Sequence, residues 1–177
     1  GDNNVAIGLS ALGANTTGTL NTAVGVSALT ANTTGASNTA VGDESLTANT
    51  TASYNTAFGR RTLYANTTGH SNVAVGYVAL KDNTEGLYNI AIGRGALANN
   101  TTASNNVAVG QDALGVNTTG TRNIAIGTNA YDGSDTENDN IAIGFDAMTT
   151  NTAGGTKNVA LGNYALDALT SGDSNIG

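Results

Sequence analysis

The chain has no cysteine and no proline, and only 11% of its 177 residues are charged. Without cysteine there is no disulfide, no thiolate metal site and no cysteine nucleophile. Lys and Arg together number six, and Arg60 and Arg61 form the one adjacent pair. Nothing here neutralises a row of phosphates, so neither nucleic acid nor an anionic membrane surface is an expected partner. No stretch approaches the ~20 apolar residues of a membrane span, and no secretory signal pattern opens the chain. Membrane insertion by this segment is not expected. His70 is the single histidine, which removes recurring Ser–His pairs and any multi-histidine metal site within one chain.

Leu, Ile, Val and Phe come to roughly a fifth of the residues, a level at which a charged chain reads as disordered. The order of the residues argues against disorder. From Asn4 the motif NVAIG returns as NTAVG, NTAFG, NVAVG, NIAIG or NVALG at Asn21, Asn38, Asn55, Asn72, Asn89, Asn106, Asn123, Asn140 and Asn158. The step is 17 residues except between Asn140 and Asn158, where it is 18, with the extra residue placed in the loop around Gly154 and Gly155. The full unit is NxAxGxxALxxNTTGxx. An eleventh copy starts at Asn175. Fixed phase over ten copies is what a stacked fold needs to build a continuous core. The expected organisation is one repeat domain over 1–177, a segment of a longer fibrous protein.

The apolar spacing does not suit helices, and each unit offers only one or two short strands, centred on VAI and on Ala11–Leu12. Branched residues at the first motif fit a pleated surface. The fold class expected is therefore all-β: a parallel β-solenoid of ten 17-residue coils at ~4.8 Å spacing. Its ladders are readable in advance. The motif Asn residues, Asn4 to Asn158, make a structural column of side-chain amides. The motif Gly residues stand where the backbone needs positive φ or close approach. Leu12, Leu29, Leu46, Leu63, Leu80, Leu97, Leu114 and Leu166, with Tyr131 and Met148 in phase, make the core spine. Three or four apolar side chains per coil are a thin core against the backbone entropy of 17 residues. Several chains sharing a second core along the Ala column would bury more, so a homotrimer is expected.

Catalysis needs unlike groups that converge, whereas a one-dimensional array repeats like groups in rows. No enzyme activity and no obligatory cofactor are expected. The best candidate for a metal is the acidic stretch YDGSDTENDN, where Asp132, Asp135, Glu137 and Asp139 supply oxygens of the kind calcium prefers. The NTT elements read as turn chemistry, with Asn tolerating left-handed backbone angles, and they also make Asn15, Asn32, Asn49, Asn66, Asn100 and Asn117 formal glycosylation acceptors, as is Asn99. The variable positions Arg60, Arg61, Tyr64, Tyr77 and Tyr88, with Arg94 and Arg122, are the candidate ligand surface. The stacked Thr pairs, Thr16–Thr17 and its successors, raise an alternative function, an ice-binding solenoid. Glu85, Ala153 and an eighth copy without NTT break those rows.

NNVAIG at Asn3–Gly8, SNVAVG at Ser71–Gly76 and NNVAVG at Asn105–Gly110 resemble the NSVAIG head repeat of YadA-type trimeric autotransporter adhesins. The longer unit NTAVGxxALxxNTTG is similar to repeats in tail-fibre-like proteins of phages and bacteria. The resemblance covers the whole chain. It implies a left-handed parallel β-roll, three chains around one axis, an extracellular, cell-surface or virion-surface location, and adhesion to host-cell or extracellular protein or glycan. This chain departs from the adhesin motif in having Asn where that motif has Ser, and in its longer repeat, which implies a longer outer loop.

Overall fold

The computed structural model describes residues 1–133, 136–150 and 154–177. It contains ten strands of three residues: β1 (Val5–Ile7), β2 (Thr22–Val24), β3 (Thr39–Val41), β4 (Thr56–Phe58), β5 (Val73–Val75), β6 (Ile90–Ile92), β7 (Val107–Val109), β8 (Ile124–Ile126), β9 (Ile141–Ile143) and β10 (Val159–Leu161). They form one parallel sheet in chain order, β1 to β10. Ala6 lies beside Ala23 and Ala142 beside Ala160, so each strand pairs in register with the same position of the next repeat. The chain is a β-solenoid, as its period implies. A bridge from Val159 to Ile176 continues the stack into the partial copy.

Each coil has one strand rather than two. The second apolar cluster, Ala11–Leu12 and its successors, is a turn in which the large residue takes left-handed backbone angles, with φ of 51° at Leu29 and 50° at Leu80. A left-handed L-residue costs ~1–2 kcal/mol. Burial offsets that cost: Leu29, Leu46, Leu63, Leu80, Leu97, Leu114, Tyr131 and Met148 are fully buried. The Leu29 N–H also donates to Ser45 O of the next coil at 3.0 Å.

The core has an apolar half and a polar half. On the apolar side each coil contributes the strand Ala, a second Ala and the large residue, as in Ala23, Ala28 and Leu29. Ser45 and Thr62 replace the second Ala in two coils, and their hydroxyls donate to Gly42 O and Gly59 O. The polar side is two ladders of asparagine amides that share one acceptor. Asn21 Nδ2 and Asn32 Nδ2 both donate to Gly35 O, at 2.8 and 3.0 Å. Asn21 Oδ1 accepts the Asn38 N–H at 3.0 Å, and Asn32 Nδ2 also donates to Asn15 Oδ1 at 3.0 Å. The motif Asn thus ties its own coil shut and hydrogen-bonds to the next. At the 18-residue step Asn140 Nδ2 reaches Gly155 O, 15 residues on instead of 14. Asn158 resumes the spacing of 14 with Gly172 O. The extra residue is therefore accommodated before Gly155.

The expectation that chains meet along the Ala column is corrected. Ala23, Ala40, Ala57, Ala74, Ala91, Ala108, Ala125, Ala142 and Ala160 are fully buried inside their own solenoid. Successive strand side chains alternate between faces, so with Ala inward the two branched residues of each strand point out. Two ladders and a Leu spine already occupy the interior, leaving a methyl's width beside the strand.

Candidate functional site

The sheet's outer face is the most distinctive surface. Its twenty positions, two per strand, hold seventeen aliphatic or Phe side chains, three Thr and no charge. Phe58 is 49% exposed, Ile92 40% and Ile126 39%. With nine steps of ~4.8 Å the face runs roughly 43 Å along the axis. Nine of the twenty positions are exposed and the other eleven are partly covered, and an uncharged strip of this extent marks an interaction surface. Sequence reasoning found the column but assigned it to the wrong side; period-two alternation beside a buried Ala was the available signal.

The candidate ligand residues lie outside this face and are scattered. Arg60 pairs with Asp43 at 3.0 Å, one coil earlier, and Arg94 with Asp112 at 2.8 Å. Arg61 pairs with Glu44 and lies 5.6 Å from the Tyr64 ring centroid. Arg122 grips Asp139 with two hydrogen bonds, at 2.6 and 2.9 Å. Tyr64 and Tyr77 are exposed. Tyr88 is exposed too, and belongs with Tyr54, Ser71 and His70 to a cleft that reading each loop position alone passes over.

Among the described residues, the calcium candidates Asp132, Glu137 and Asp139 do not come together. Asp139 is committed to Arg122, and its carboxyl is held below the usual range chiefly by that hydrogen bond. Glu137 turns inward and accepts the Gly154 N–H at 2.9 Å. Asp132 sits half-buried near Asp112 and Asp146. Asp135 lies outside the described residues. Among the described residues no group of three or more His, Cys, Asp or Glu is arranged to hold a metal ion.

Burial, then the Asp112 charge, pushes the Asp132 carboxyl up, while the Gly115 N–H pulls it partly back. A carboxyl raised on folding is penalised when ionised, so stability falls as pH rises from the unfolded value of ~3.9 through the raised folded one. Asp132→Asn should therefore raise the melting temperature at pH 7, with the gain vanishing near pH 3. Thermal melts at both values check this.

Five of the seven formal glycosylation acceptors lie inside the coil. Asn32, Asn49, Asn66, Asn100 and Asn117 are fully buried, and each Nδ2 donates to a main-chain carbonyl and to the Asn of the coil before. Sugar cannot be attached to these amides in the folded chain. Asn15 is half-buried, with Nδ2 donating to Gly18 O, and Asn99 is exposed. The recurrent NTT is ladder and turn chemistry.

Comparison with protein-family models, with curated proteins and with solved structures found no match. Function therefore rests on the repeat and on the surfaces it displays.

Proposed function

We propose that the chain is a structural and adhesive surface element, the head or shaft of a trimeric adhesin or phage tail fibre. It would stand outside a cell or virion and bind a host-cell or extracellular protein or glycan multivalently. The supporting observation is the uncharged outer face of β1–β10. Covering a half-exposed branched side chain is worth on the order of 1 kcal/mol. Summed over the strip, this is comparable with or larger than the ~4–15 kcal/mol lost on association. The number three follows the resemblance to the adhesin heads. Such an assembly presents every variable residue three times per rung, and weak contacts gain strength through effective concentration.

Lysine at Ile92 and Ile126 tests this reading, since both side chains point out of the sheet and neither is needed inside the coil. Ile92→Lys with Ile126→Lys should keep the β circular dichroism spectrum and reduce the mass to that of one chain. An unchanged mass would count against assembly through this face.

Ice binding has less support. Thr17, Thr34, Thr51, Thr68, Thr102 and Thr119 are exposed in one file, but Glu85 interrupts it. In the neighbouring file Thr33 Oγ1 donates to Thr50 O, and Thr67 Oγ1 to Thr84 O, so those hydroxyls serve the stack.

A further inference from the structure

The column just before the motif Asn runs outward at a corner of every coil, with left-handed backbone angles of 64° at Tyr54, 59° at Ser71 and 57° at Tyr88. Three consecutive rungs therefore read large, small, large. Ser71 leaves a gap one side chain deep between two tyrosines, and the result is a cleft of about 340 Å³ lined by Thr51, Ser53, Tyr54, Thr68, His70, Ser71 and Tyr88. His70 stands edge-on to Tyr88, ring centroids 5.3 Å apart at 90°, and its Nδ1 lies 3.2 Å from Ser71 Oγ. The imidazole is thereby fixed as part of the wall.

We infer that this cleft binds one or two rings of an uncharged saccharide, between Tyr54 and Tyr88. Two rungs of ~4.8 Å separate the tyrosine positions by about 9.6 Å. His70, edge-on to Tyr88, takes up part of that span, so a sugar ring here makes carbon contacts of ~3.5–4.0 Å with Tyr54 on one side and with the His70–Tyr88 pair on the other. The volume is at the small end for ligand clefts, which suits one or two rings rather than a larger ligand. A pyranose offers apolar C–H faces to aromatic rings and hydroxyls around its edge. The Thr51 and Thr68 hydroxyls, the tyrosine hydroxyls and His70 are there to meet that edge. An apolar peptide side chain would instead leave these polar groups desolvated without partners. No Lys, Arg, Asp or Glu lines the cleft, so neither a phosphate nor a sugar acid finds a counter-charge.

This inference supplies a ligand class for the adhesive surface proposed above, but it is tested on each chain separately. Saturation-transfer NMR with D-glucose, D-galactose, N-acetyl-D-glucosamine and their β-linked disaccharides should show transfer to at least one sugar, with millimolar affinity for a single site. Tyr54→Ala with Tyr88→Ala should weaken binding by about tenfold or more. Ser71→Tyr should abolish it by filling the gap, in a column where tyrosine already folds twice. Tyr164→Ala, at an exposed tyrosine that does not line the cleft, should leave it unchanged. No transfer from any of these sugars, or transfer unaffected by Ser71→Tyr, would overturn the assignment. A monomer that binds sugar keeps this site and discards the trimer, whereas a trimer that binds none does the reverse.

Discussion

Asn72→Ala should lower the melting temperature by roughly 6–12 °C, the largest loss expected from removing one surface-remote side chain. Asn72 Oδ1 accepts the Asn89 N–H at 2.9 Å, and its Nδ2 donates to Gly86 O at 2.8 Å and to Asn55 Oδ1 at 3.3 Å. All of this lies in the fully buried half of the core. Gly86 O keeps a donor in Asn83 Nδ2, but the Asn89 N–H is left buried without an acceptor. An orphaned buried polar group costs ~1–3 kcal/mol, and with the cavity left by the amide the total is about 3 kcal/mol. Each coil touches only its neighbours, so the damage stays local. Hydrogen exchange should quicken in the coils around Asn72 before it does elsewhere. Tyr77→Ala, at an exposed position, serves as the control and should change stability by ~0.5 kcal/mol or less. A loss below ~1 kcal/mol at Asn72 would mean that the amide ladder is incidental to the stack.

Gly93→Ala should be worse still, about 4 kcal/mol or more. Gly93 has φ of +136°, where L side chains are strained, and a methyl there would meet Gly110 O at 2.3 Å and Gly110 C at 2.6 Å. Neither atom can move without separating two coils. Gly162 isolates the two effects: its φ is +128°, yet nothing lies within 4 Å of a methyl added there. Gly162→Ala should cost only the conformational part, ~1–3 kcal/mol. Chemical denaturation of the two variants separates backbone strain from steric clash. Equal losses would show that close approach of the coils is not what requires glycine.

The 17-residue period made the coil, the register and the Leu spine legible, because stacking forces each position into a column. It did not say which way a column faces. In Val-Ala-Ile either Ala or the branched pair could turn inward, and hydrophobicity alone favours the wrong choice. The interior is narrow because Leu29, Asn21 and Asn32 already occupy it, which is a property of the closed coil and not of the three residues. Nor did the sequence show that the NTT asparagine faces inward: Asn32 suits a turn, but its burial goes with Asn21 reaching the same Gly35 O from 14 residues away. Leu29 carries no local mark of its left-handed backbone, since leucine is an ordinary helix or strand residue. The Tyr54–Ser71–Tyr88 cleft was missed for a different reason, as it exists only down a column and not along the chain.

The first measurement to make is the absolute mass of the purified chain by light scattering at several concentrations, with circular dichroism on the same samples. A folded β species at three times 17.5 kDa is the expected result, and it would give the outer face of β1–β10 its occupant. A folded β species that stays at 17.5 kDa at every concentration would contradict the fibre and leave the apolar strip without a partner of its own kind.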